Sequence, residues 1–207
     1  MKTITPDMPI VVDGVFGSCS GSDGGGFMSV EKGGEFAFGS ELDWLAQEEK
    51  AWTLEAYNSF GQTIGKVYAN LELRSLVVKM NHAQAKSITT HEGKVFFDGH
   101  YTGVNLDEIP CLFMGKIPRS WKDKIYSFQM GAKVAALKVH DDDRDISISI
   151  SELNGRKPSF CAFYSWSEYL GLLNHKFEYC FLGQSPSKSI IKLENGVSLK
   201  WVENSSV

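Results

Sequence analysis

Residues 146–151 read Ile-Ser-Ile-Ser-Ile-Ser. An extended chain alternates its side chains between two faces, so Ile146, Ile148 and Ile150 share one side and Ser147, Ser149 and Ser151 the other. Branched apolar groups facing hydroxyls describe a strand that is dry on one side and wet on the other. The alternation returns in weaker form at Trp52, Leu54 and Ala56, and at Val67, Ala69, Leu71 and Leu73. Segments 94–97, 125–130, 133–140, 160–164, 177–181, 190–193 and 197–202 are short runs rich in Val, Ile, Phe and Tyr, set between Gly, Asn and Asp turns. This pattern predicts an all-β, mostly antiparallel protein. Two segments break it. Ser40 and Asp43 open 40–51 like a capped helix, and Ser165 and Glu168 do the same for 165–173, so one or two short helices are expected.

The chain has 207 residues, long enough to bury roughly 70% of its unfolded surface without staples. Its charge of −4 provides no general attraction for phosphate backbones, and no nucleic-acid partner is expected. Pro6, Asp7 and Pro9 interrupt the N-terminal apolar run before a secretory core or membrane span could form. The chain as it stands therefore reads as cytoplasmic, or as secreted if a leader was removed. Cys19, Cys111, Cys161 and Cys180 match no zinc or CxxC spacing; buried free thiols are expected, with two disulfides as the alternative. The Gly/Ser cluster at 17–34 reads as a loop joining strands near 10–16 and 27–38, and it lacks the GxxxxGK[ST] spacing of a phosphate cradle. The organisation expected is a β-rich N-terminal region, 1–85, and a second region, 86–207, with one continuous domain as the alternative.

A signature recurs in the second region. Phe96 lies five residues before Tyr101, with Gly103 two further on; Tyr164, Tyr169 and Gly171 repeat the spacing. Each copy is followed by a serine and an apolar run, at Ser127 and at Ser189. Stacked aromatics, a glycine freed from Cβ restraint and a hydroxyl tying the loop would make a folded β-hairpin. Over residues 91–202 this resembles the βγ-crystallin superfamily of Greek-key domains. The resemblance implies a crystallin-like Greek-key β-sandwich in the C-terminal half, although 133–158 lacks the aromatic and glycine pair. It also implies a place for calcium, but lysines stand where oxygen ligands belong, at Lys122 in the first stretch and Lys188 in the second. Calcium binding there should be weak or lost, and no cofactor is expected.

Other constellations are thin. Asp141, Asp143, Asp145 and Glu152 have the spacing of an EF-hand loop, yet Ile146 replaces the turn glycine and the isoleucine alternation demands a strand. These aspartates read first as a solvated hairpin tip and only second as a weak cation site. Asp107 and Glu108 read as solvated charges rather than a catalytic pair. His82, His91, His100, His140 and His175 show no metal spacing. The function expected is a non-catalytic β-rich structural or binding module, for which the resemblance implies stress-associated packing, protease inhibition or a toxin-like role. One alternative is an acidic immunity- or inhibitor-type protein that neutralises a protein partner. The other is an enzyme assembled from separated residues such as His175, Cys161 and Asp123.

Overall fold

The computed structural model describes residues 9–47, 50–80, 88–151, 158–168, 172–183 and 186–204. The first strands are β1 (Phe16–Gly17), β2 (Ser22–Lys32), β3 (Glu35–Gln47), β4 (Ala51–Tyr57), β5 (Thr63–Asn70), β6 (Ser75–Met80), β7 (Ile88–His91), β8 (Lys94–Phe97) and β9 (His100–Asn105). There follow β10 (Ile117–Pro118), β11 (Ile125–Met130), β12 (Val134–Asp141), β13 (Arg144–Ser151), β14 (Ser159–Glu168), β15 (Leu173–Leu182), β16 (Lys188–Leu193) and β17 (Val197–Glu203). Helices α1 (Ile10–Asp13) and α2 (Ile109–Met114) and a 3-10 turn over Arg119–Lys124 complete the set. The fold is all-β and antiparallel in its main body, as the alternation predicted.

Twelve strands form one sheet in the order β11 to β17, then β2 to β6. Every neighbour is consecutive except β17 and β2, whose antiparallel pairing runs from Val197–Lys32 to Glu203–Gly26. That junction places strands of regions 1–85 and 86–207 in one sheet. The order is a meander, and Greek-key ordering does not occur among the described strands. One face of the sheet is covered. Ile146, Ile148 and Ile150 point into it, beside Leu137 and Val139 of β12 and Phe160, Ala162 and Tyr164 of β14. Onto this inner face pack Val12 of α1, Phe16, Tyr101, Ile117 and Trp121. A second cluster joins Leu42, Trp44, Ala46, Trp52 and Trp201 of the sheet to Val95, Leu106 and the α2 residues Ile109, Phe113 and Met114. Each fully buried Val, Leu, Ile or Phe among them stabilises the fold by about 1.5–3 kcal/mol.

Four local expectations give way. Residues 40–47 are strand rather than helix: Leu42, Trp44 and Ala46 are buried while Glu41, Asp43 and Leu45 are exposed, a period of two within β3. The cap-like Ser40 instead donates its hydroxyl to the Tyr57 carbonyl at 2.8 Å across the sheet. Residues 165–168 continue β14, again with Trp166 in and Ser165 and Ser167 out. Ile10–Asp13 forms α1 rather than a strand. The Gly/Ser cluster is mostly strand β2. Its glycines are needed for space: a Cβ on Gly24 would lie 2.8 Å from the Trp44 ring, and one on Gly26 would lie 2.2 Å from the Val202 carbonyl oxygen and 2.8 Å from Trp201.

The cysteines are not free thiols. Cys19 bonds Cys111 across 92 residues, fastening the segment before β2 to α2, and Cys161 bonds its direct cross-strand neighbour Cys180. Strand register brings Cys161 and Cys180 to a Cα–Cα distance of 4.0 Å, while Cys19 reaches α2 from the segment between β1 and β2, at 4.7 Å.

Candidate functional site

The β12–β13 hairpin turns through Asp142, whose φ of 54° lies in the left-handed region. Asp141 and Arg144 close the hairpin as direct partners, and both point inward. Arg144 is fully buried. It donates to both carboxylate oxygens of Glu108, at 2.7 and 2.8 Å, to the Gly103 carbonyl at 2.9 Å and to Asp141. Its guanidinium lies over the Trp121 ring, 5.7 Å from the centroid. Lys124 donates to the other Asp141 oxygen. The Asn105 backbone N–H donates to Glu108 at 3.0 Å, and the Tyr101 hydroxyl donates to the Asn105 side chain at 2.8 Å.

Two cations and two carboxylates balance here, so the group is neutral as a whole. Burial works against the Arg144 charge, but the Glu108 hydrogen bonds and nearby carboxylates raise its pKa further still. Burial likewise pushes the Asp141 carboxyl up, and the Lys124 hydrogen bond and Arg144 outweigh it, holding it below the ordinary range. Tyr101 is raised, chiefly by burial, and stays protonated as a donor. Every strong group already has its partner. The cluster is therefore a latch that pins 101–108 to β12 and β13, with no acid or base left for chemistry. Glu108 was the residue sequence reasoning missed, since it reads as a loop charge and is in fact buried. The arginine inside Asp-Asp-Asp-Arg-Asp was the available signal.

The signature residues are placed as follows. Phe96 and Tyr101 are cross-strand partners in the β8–β9 hairpin, with ring centroids 5.7 Å apart, and Tyr101 meets Trp166 edge-on at 5.8 Å. Gly103 has φ +77°, and a Cβ there would lie 2.4 Å from Trp166. Tyr164 stacks on Phe177 at 4.1 Å. Tyr169 and Gly171 lie outside the described residues. Ser127 sits in β11 opposite Lys138, in the large sheet and apart from the β8–β9 hairpin. Ser189 donates to the Leu112 carbonyl at 2.8 Å, as Tyr179 does at 2.9 Å, so these hydroxyls anchor α2.

The aspartates expected at a solvated tip are divided. Asp142 and Asp143 are exposed, but Asp141 is buried. Asp143 pairs with Lys94 at 3.0 Å and Asp145 with His140 at 2.9 Å, so each of the three candidate ligands is held by its own base. Cys161, bonded to Cys180, has no thiol to act as a nucleophile. A polar cleft of about 680 Å³ adjoins the latch, bordered by Ser18, Arg74, Glu92, Glu108, Arg119 and Asp142.

The inner face changes character toward the β6 edge. Direct partners across an antiparallel sheet share a face, so three rows can be followed from β3 to β6. Trp44 leads to Leu54, Val67 and Val78; Leu42 to Ala56, Gly65 and Met80; Ala46 to Trp52, Ala69 and Leu76. Trp44 and Leu42 are 8% and 2% exposed, Leu54, Val67 and Val78 are half-buried, and Met80 is 53% exposed. The outer face of the same strands carries Asp43, Glu55, Lys66 and Lys79 in one row, with Glu55 and Lys66 paired. An apolar face thus emerges from under its cover at Leu54, Val67, Val78 and Met80, while Trp52 and Ala69 of the third row stay buried; the opposite face carries, beside its charged row, a second row of Leu45, Thr53, Tyr68 and Val77.

No family model matches the chain, and no curated protein matches it. Among solved structures, a LolA superfamily protein from Nitrosomonas europaea is similar in fold, with a TM-score of 0.52 over 95% of this chain and 89% of that one, at 10% identity. The likeness extends to nearly the whole architecture and supports the all-β fold.

Proposed function

We propose that the protein is a non-catalytic binding module that holds an apolar ligand against the inner face of β4, β5 and β6. The observation that carries this reading is the fall in burial along two of the rows, from Trp44 to Val78 and from Leu42 to Met80. Uncovered apolar surface backed by a covered core favours an apolar occupant. Two further points favour binding over catalysis: among the described residues the buried charges Glu108, Asp141 and Arg144 are mutually satisfied, and the cysteines are spent in disulfides. The pairing of Asp141, Asp143 and Asp145 with Lys124, Lys94 and His140 weighs against an acidic surface dedicated to a basic partner. Two disulfides favour an oxidising compartment. No described helix is long and apolar enough to cross a membrane.

The test is a fluorescence titration with anilinonaphthalene sulfonate, followed by displacement with oleate. Saturable binding displaced by oleate is expected. Val78→Lys, which sets a charge among Val67 and its neighbours, should weaken binding by at least about ten-fold because burying an unpaired ammonium is costly. Equal binding by that variant, at an unchanged melting temperature, would remove the face from consideration.

A further inference from the structure

Away from that face, three side chains converge where the β8–β9 hairpin meets the ends of β14 and β15. We infer that Glu168, His100 and His175 form a binding site for a first-row divalent cation, zinc foremost. Glu168 ends β14, and its Oε1 accepts the Tyr101 backbone N–H at 2.8 Å. That bond fixes the carboxylate and turns Oε2 toward both imidazoles. His100 Nδ1 stands 3.4 Å from Oε2, and His175 Nε2 stands 3.8 Å from it. Ligand atoms around tetrahedral zinc, with bonds of about 2.0–2.1 Å, are roughly 3.4 Å apart. The two separations are therefore close to the edges of a coordination polyhedron.

As hydrogen bonds the same contacts are poor, since one is long and the other is beyond range. His175 Nε2 is buried and has no hydrogen-bond partner, an uncommon state for a native polar atom. The ring is held in place: His175 is the cross-strand partner of Trp166 and stacks on it, centroids 5.5 Å apart and planes 23° apart. Its nitrogen is thus aimed at Glu168 by packing. His100, 57% exposed at the start of β9, is the mobile third ligand, its ring 6.4 Å from that of His175. As placed, the three donor atoms do not all lie within 4.8 Å of one another, so the exposed His100 ring has to swing toward His175 to close the set, and its open side then leaves a fourth position for water. Two neutral imidazoles and one carboxylate are a donor set suited to zinc. The Tyr101 N–H acts as the outer partner that orients the carboxylate. The group of described residues whose donor atoms already lie within 4.8 Å of one another, Cys161, Glu178 and Cys180, has its sulfurs tied in a disulfide. A bound cation would tie the covering hairpin to the sheet.

The experiment is calorimetric titration of the full chain with zinc chloride at neutral pH, paired with thermal melts. One zinc per chain and a higher melting temperature with zinc are expected. H100A, H175A and E168Q should each weaken binding by at least about ten-fold, and H140A should leave it unchanged. H100A removes an exposed ring, so its fold and metal-free melting temperature should match the parent and separate a lost ligand from a lost fold. Absence of saturable binding in the parent chain, or parent-like affinity in H100A, H175A and E168Q, would overturn the assignment.

Discussion

Arg144 holds the covering segment down through Glu108, the Gly103 carbonyl and Asp141, all without contact with water. Replacing it with Met leaves two buried carboxylates short of a cation, and Arg144→Met should lose about 3–5 kcal/mol in urea unfolding. Asp141 adds a pH signature. Its folded pKa is depressed, so its contribution is fully present above the unfolded carboxylate value, about 3.9, and disappears as pH falls through the lower folded value. Asp141→Asn should therefore be less stable than the parent at neutral pH, with the gap closing in acid; a gap independent of pH would contradict the assignment. At this scale the sequence was legible in part. The aromatic spacing marked Phe96 and Tyr101 as a hairpin pair because that contact is local, whereas the Trp166 ring that Gly103 and Tyr101 meet lies far along the chain. Spacing could not reveal Glu108 beneath Arg144, because 36 residues separate them and only the fold joins them.

Among elements, the strict alternation of β13 was decisive because every second side chain had to find the same dry face. The helix-like openings at Ser40 and Ser165 failed for the same reason: cap spacing is a weak local preference, and burying Leu42, Trp44, Tyr164 and Trp166 on one side outweighs it. In β2 the glycines signal close approach rather than a loop. Gly26→Ala should cost about 1–3 kcal/mol by overpacking and speed amide exchange along β17 and β2, since its Cβ meets the neighbouring backbone. Exchange confined to the parent rate would mean that the junction tolerates the methyl group.

For the whole molecule, the β17–β2 pairing and the Cys19–Cys111 bond were beyond sequence reading, because both join positions that only the completed fold brings together. A crosslink spanning 92 residues restricts the unfolded chain strongly. Replacing Cys19 and Cys111 with Ser should lower stability by about 4–5 kcal/mol on loop length, against about 3 kcal/mol for Cys161 and Cys180, as read from denaturation of the two double variants. The same architecture leaves the β6 end of the inner face half-covered, and on this the proposed function stands. The most direct measurement is a methyl-resolved nuclear magnetic resonance titration with oleate. Saturable shifts concentrated on Leu54, Val67, Leu76 and Val78, with Ile146, Ile148 and Ile150 unmoved, are the predicted result; shifts absent from β4 to β6, or spread evenly over both ends of the sheet, would contradict it.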